Sequence, residues 1–545
     1  MRPWILPFIA GATAVALIAT SVGLVVQHRR ADAAEARAEQ LATEVEQLQA
    51  RVDQLESGTG GTADGLGGLL DGLLGGGEGG IGDLLGGLLG GGMGDLGSLL
   101  GSGGTPGAAC LVPGGGGLGG LGDLGGLLGG DGGLGGLLGG EGDLGDLGGL
   151  LGGAGDESGD AAGRPELPDD PDALVEALVP QVAEDRSLAW TDPVEVDFLT
   201  TSELHARLDE LLTEDADPAM DDAYQRLLVG LGAMPAGTDL ATVRRQLLDD
   251  QVAGFYSPDT GELVVRVPDD GEVGTLDTIT LAHELQHALA DQALGLPDLE
   301  ALEGSDRILA AQAVVEGDAT LFMNQWALQN IPVEDQIAAA TGEDAARAQA
   351  GLDQVPLYLQ RELLFPYTAG LDWVCDQWLD GGWDAVDAAY ASPPTTTAEI
   401  LYGADANETV DLRALSAPNG FEELHTDEFG AAPLLWLFEA PGGNETAALP
   451  DPRRAASAWA GGEVTIWGDG DETAIGLVLG DATGTLCDDV SAWYAAAWPD
   501  ADADTTGRPR TFTGGDQAAA IACDDTIVRL GIAPTADQAR GIVAG

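Results

Sequence analysis

Glycine dominates the stretch from Ser57 to about Gly163, in units such as Gly-Leu-Gly-Gly-Leu-Leu-Gly-Gly. Glycine at that density carries a heavy ordering entropy, and no helical or strand period survives in it. Residues 58–163 therefore read as a low-complexity spacer whose ends, for a Gly-rich coil, stand on the order of 50–60 Å apart. The strict Gly-Gly-x-Gly-x-Asp register of calcium-binding nonapeptide repeats is absent. An ordinary core has to come from about Arg164 onward, a length that suffices for a large core or two adjoining ones.

Ahead of the spacer, Trp4–Val26 is apolar and uncharged, long enough to span a hydrocarbon core. The charged run Gln27-His28-Arg29-Arg30 follows it directly, where a cleaved leader would have a small-residue cleavage site. Residues 1–30 are expected to be an uncleaved transmembrane signal anchor. Both flanks are positive, so charge does not set its orientation. Residues 31–57 carry a heptad seam of Ala34, Ala38, Leu41, Val45, Leu48, Val52 and Leu55. The seam leaves open a short coiled coil that makes a homo-oligomer and a single helix continuing out of the membrane.

With 91 acidic against 22 basic residues the formal net charge is −69, and every basic residue is Arg. Such a chain repels phosphate backbones, which excludes nucleic acid as a partner. The acidic residues are spread along the chain, as on a solvated surface suited to a salty medium. No EF-hand loop is present. None of the four cysteines forms a CxxC pair. Cys487 and Cys523 are placed to form a disulfide in an oxidising compartment, or to remain as two buried thiols.

Chemistry concentrates in Thr278–Gln292, which reads as a helix with Leu281, Leu285 and Leu289 on one stripe. His283 and His287 are four apart and share a face, a spacing on which two imidazoles bind one tetrahedral zinc. Glu284 stands beside them as a base for water, completing an HExxH pattern in a chain with only five histidines. A third ligand is needed. The extended form with a third histidine is absent, because Ala290 and Ala293 occupy the Gly and His positions. Glu316, in an apolar helical run where an unpaired carboxylate would be costly, is the best candidate. Asp291 is its rival and is better suited to orienting a histidine. Asp318, two positions beyond Glu316, is left to cap, pair with Arg or orient a ligand.

HELQHALADQ at 283–292, followed by VEGDA at 315–319, resembles the gluzincin group of zinc peptidases. The likeness is closer to a set of bacterial and archaeal metallopeptidases of uncharacterised function. In those a GFY segment precedes the helix, as Gly254-Phe255-Tyr256 does here, and Pro-Tyr-x-x-Gly and Pro-Pro-x-x-Thr segments follow, as Pro366-Tyr367 to Gly370 and Pro393-Pro394 to Thr397 do. The likeness covers roughly Leu240 to Val410 and leaves out the anchor and spacer. It implies a mainly helical α+β, zincin-like metallopeptidase domain at 164–429 with a small antiparallel sheet. Zn2+ would be held by His283, His287 and Glu316. Thr320 departs from the pattern, since thermolysin-like enzymes carry Asp at that position.

Val252–Ser257 and Glu262–Val267 alternate as strands about the turn Pro258–Gly261, a hairpin expected beside the histidine helix. The resemblance implies that an edge strand there aligns an extended peptide. Tyr367, Tyr256 and His425 are candidate oxyanion donors, with Tyr367 preferred. Residues 430–545 are expected to be a helical and β extension of the catalytic domain, with a hairpin within Trp459–Trp467.

The function these features imply is hydrolysis of a peptide or protein substrate by water, with Glu284 as general base. The enzyme would sit as a single-pass protein of the cell membrane, its catalytic domain outside the cytoplasm. The alternative is an inactive surface binding or scaffold protein on a peptidase-like fold.

Overall fold

The computed structural model describes Cys110 and residues 167–544, apart from 215–216, 269–270, 272, 300 and 404–408. The expected anchor, heptad seam and all of the spacer except Cys110 lie outside the described residues. Among those described, no helix is long and apolar enough to cross a membrane. The chain is α+β and mainly helical, as expected.

The first half runs α1 (Pro171–Arg186), β1 (Asp197–Leu199), α2 (Thr201–Glu214), α3 (Pro218–Gly230), α4 (Leu240–Gln251), β2 (Gly254–Ser257) and β3 (Glu262–Arg266). There follow α5 (Thr275–Leu294), α6 (Ser305–Asn330), α7 (Val333–Ala340), α8 (Glu343–Leu352), α9 (Leu357–Gly381), α10 (Trp383–Ala391) and α11 (Thr397–Tyr402). The expected hairpin is present. β2 pairs antiparallel with β3, Gly254 opposite Val265 and Ser257 opposite Glu262, and Gly261 closes the turn at φ 71°. Beyond the expected pair, β1 adds to β3 in parallel, in the order β1-β3-β2, which leaves β2 at an edge.

α5 is the central helix. Every residue from Asp277 to Ala290 is buried, so it is surrounded by protein on all sides. Asp277 in its first turn pairs with Arg266 of β3 at 2.8 Å. Gly295 ends it at φ 77°, its N–H donating to the carbonyls of Ala290 and Asp291. α6 is buried through most of its length and packs against both α5 and α9. At one crossing the backbones nearly touch: a Cβ on Gly370 would fall 2.2 Å from the Ala313 carbonyl oxygen, and one on Gly317 2.4 Å from that of Gly370.

The second half holds β4 (Glu422–Glu428), α12 (Ala431–Glu439), α13 (Pro452–Ala456), β5 (Trp459–Asp469), β6 (Glu472–Asp481) and α14 (Leu486–Ala497). It ends with β7 (Asp502–Asp504), β8 (Arg510–Gly514), β9 (Gln517–Cys523), β10 (Ile527–Ala533) and α15 (Ala536–Val543). Its strands form a seven-stranded antiparallel sheet in the order β4-β5-β6-β10-β9-β8-β7. That sheet is larger than the sequence suggested, and Trp459–Trp467 lies within the single strand β5 instead of forming its own hairpin. One apolar cluster runs from Tyr224 and Leu309 through Trp436 and Phe438 to Ile475 and Ile532, so the sheet shares a core with the helices.

All four cysteines are bonded. Cys487–Cys523, left open between disulfide and thiols, is a disulfide with Cα atoms 6.1 Å apart. Cys110, from the middle of the glycine-rich stretch, is bonded to Cys375 of α9 across 265 residues. It is fully buried beside Val315, Leu321 and Val374, and its carbonyl accepts from Gln325 Nε2 at 2.7 Å. Cys110 is therefore joined covalently to α9, a connection that glycine-rich composition does not point to.

Candidate metal centre

α5 and α6 bring three side chains to one point. His283 and His287, one turn apart on α5, place their Nε2 atoms 2.9 Å from each other. Glu316 Oε2, from α6, is 3.3 Å from both. Ligand atoms of a tetrahedral zinc held at about 2.0–2.1 Å stand about 3.3 Å from one another. The three atoms thus have the spacing of three corners of such a shell, and a buried group of this kind can hold a metal ion.

Burial sharpens the point. His283 and Glu316 are fully enclosed and His287 is 1% exposed. Neither carboxylate oxygen of Glu316 and neither histidine Nδ1 has a hydrogen-bond partner. A buried carboxylate without donors is costly unless a cation satisfies it. Burial pushes the His283 imidazole down to about 4, against the pull of Glu316, so it is neutral near pH 7, the form that binds metals. For Glu316 burial works upward, but the facing imidazoles of His287 and His283 outweigh it and the carboxyl falls to about 2.

Glu284, adjacent to His283, is also fully enclosed. The hairpin lies directly on it: a Cβ on Gly254 would meet Thr280 Cγ2 at 2.9 Å and Glu284 Cγ at 3.4 Å. Only a glycine lets β2 come that close. The Tyr367 ring of α9 stacks beside His283 with centroids 6.3 Å apart. Pro366 before it has no N–H to give the helix ladder.

The other candidates lie elsewhere. Tyr256 donates its hydroxyl to Asp291 Oδ2 at 2.7 Å, which engages both with each other. Asp291 is not in the group that could hold a metal ion, and His283 and His287 gain no carboxylate partner at Nδ1 from it. His425 sits on β4, 3.9 Å from Asp427, in the other sheet.

Asp318 takes the Arg-pairing role among those left open. Arg186, at the end of α1, donates Nε to Oδ1 and Nη2 to Oδ2, each at 3.1 Å. Gln286 Nε2 donates to Oδ2 at 3.0 Å and the Tyr390 hydroxyl at 2.7 Å. The Arg186 guanidinium also pairs with Asp387 at 2.6 Å and lies 4.2 Å above the Trp383 ring. Sequence reasoning passed over Arg186, Gln286 and Tyr390. Of these only Gln286, inside the HExxH pattern, carried a positional signal.

Compared with known protein families, with curated proteins and with solved structures, the chain matches none.

Proposed function

We propose that the chain is a zinc-dependent peptidase of zincin-like fold, with His283, His287 and Glu316 as the metal ligands. The convergence of two imidazole nitrogens and a donor-free carboxylate, all enclosed, carries this reading. Zinc held there would polarise a scissile carbonyl and make water nucleophilic near neutral pH. Glu284 would take the proton of the attacking water and pass it to the leaving amine. Tyr367, beside His283, is the proposed donor to the developing oxyanion. β2, the edge strand above Glu284, offers backbone groups that align an extended peptide.

The proposed setting is the outer face of a cell membrane, anchored through residues 4–26. Two disulfides and no free thiol among the described residues support an oxidising compartment.

The enclosure of the whole centre favours one rival, a binding or scaffold protein with a structural metal, because a substrate must first gain entry. The test uses the full chain in detergent. Metal content is measured for it and for His283→Ala and Glu316→Ala, and a peptide library is screened with it and with Glu284→Gln. One zinc per chain, lost in both ligand variants, is expected. Hydrolysis should fall by about 10²–10⁴-fold in Glu284→Gln at unchanged zinc content. A folded chain without zinc overturns the reading, and zinc without any Glu284-dependent cleavage leaves the scaffold.

A further inference from the structure

We propose that Gln286 and Asp318 are a positioning pair that sets the spacing of α5 and α6, and with it the affinity and geometry of the metal centre. This rests on the metal-centre reading above.

Glu316 faces only the two imidazoles, its Oε2 3.3 Å from each Nε2. The ligands come from two helices, and among the described residues no hydrogen bond at either Nδ1 orients the imidazoles. In most metal sites such bonds hold the first ligands in place, and losing one costs about 10–100-fold in affinity. With no such bond at either Nδ1, the placement of α6 against α5 is what brings Glu316 to the imidazoles. A site 1 Å too loose fails, so that placement has to be tight.

Gln286 lies between Glu284 and His287, and Asp318 lies two residues after Glu316. Their 3.0 Å hydrogen bond joins the ligand-bearing turns of the two helices, and both side chains are fully enclosed. The acceptor is itself immobile. Arg186 from α1 grips both of its oxygens, and Tyr390 from α10 adds a third partner. On another side α6 is stopped by α9, where Gly317 meets the Gly370 backbone. α6 therefore rests against a backbone stop and is tied to α5 by a hydrogen bond whose acceptor cannot turn.

If the cluster served only to fill the core, the Arg186–Asp318 pair would suffice, and Gln286 would be replaceable by an apolar residue of similar size. Gln286→Leu makes that change. It keeps the volume and all of Asp318's other bonds, and it removes a buried amide oxygen that has no partner. The metal-free full chain should melt at nearly the unaltered temperature. Its zinc dissociation constant, measured by competition with a chelator, should rise about 10–100-fold. With cobalt(II) in place of zinc, the visible bands should shift or weaken as the ligand shell distorts.

Should Gln286→Leu not fold, Tyr390→Phe loosens the same acceptor from the opposite side, and a severalfold rise in the dissociation constant is expected. Unchanged affinity and an unchanged cobalt spectrum in a folded variant overturn the proposal while leaving the metal centre intact. An unaltered chain that binds neither metal overturns the centre itself, and this pairing with it.

Discussion

At the level of single residues the most exposed commitment of this fold is Arg186. It is a fully buried cation at the end of α1, facing Asp318 and Asp387 and stacked on Trp383. Burial alone would lower the pKa of such a guanidinium, but Asp318, with Tyr390 and Asp387, outweighs it and the group is held above its ordinary value. Asp318 gains in return the partner that makes its own burial tolerable. Removing the cation leaves that carboxylate enclosed and uncompensated, which typically costs about 3–5 kcal/mol. Arg186→Met should lower the chain's stability to chemical denaturation by that order. Arg186→Met combined with Asp318→Asn should recover part of the loss, since no buried charge then stands unpaired at that position. A single variant as stable as the unaltered chain would mean that water reaches Asp318.

Helices and strands show where the molecule tolerates no change of volume. α6 and α9 cross with backbone against backbone, so Gly370→Ala forces a methyl to within 2.2 Å of the Ala313 carbonyl oxygen. Overpacking of that kind costs about 1–3 kcal/mol. The melting temperature should fall by several degrees, and because α6 carries Glu316, metal affinity should fall with it. An unshifted melting curve would show that the helices part without cost. What the sequence disclosed about these elements follows from how local each signal is. The four-residue spacing of His283 and His287 and the turn chemistry of Pro258–Gly261 lie within a few residues, and both are found as read. The Arg186–Asp318 pair spans 132 residues and Cys110–Cys375 spans 265, and no periodicity points across such distances. The large sheet was obscure for another reason. β5 and β6 are buried on nearly every residue, so they lack the alternation that marks a half-buried strand. β9, Gln-Ala-Ala-Ala-Ile-Ala-Cys, has a composition typical of helices and becomes a strand because β8 and β10 flank it.

Across the whole molecule, stability depends on where three helices begin together. Asp306 in the first turn of α6 accepts from the Thr397 backbone N–H at 3.3 Å and from the Thr397 hydroxyl, and that hydroxyl in turn accepts from Ala432 N of α12 at 3.0 Å. Thr397 opens α11, so one carboxylate ties the starts of α6, α11 and α12, and joins the helical half to the chain that leads into the large sheet. Its burial, with Asp427 and Glu428 nearby, pushes it up to about 7 from 3.8 despite the Thr397 bonds. Between those values the folded protein keeps a proton that the unfolded chain has released. The stability this proton provides is therefore present at low pH and lost as pH rises toward 7. His283 acts in the opposite sense: burial lowers it from 6.5 to about 4, so unfolding is favoured as pH falls through that window. His283 contributes equally in the unaltered chain and in a chain that carries Asp306→Asn, so a comparison of the two isolates Asp306. Between pH 5 and 7 the metal-free unaltered protein should lose stability relative to Asp306→Asn, with a slope of at most about 1.4 kcal/mol per pH unit. Asp306→Asn removes the titrating group while its amide oxygen can still accept from Thr397, so that pH-dependent difference should vanish from the variant's own curve. Urea denaturation at three pH values on both proteins measures it. Equal slopes would place the titrating group elsewhere and leave the junction of the three helices indifferent to pH.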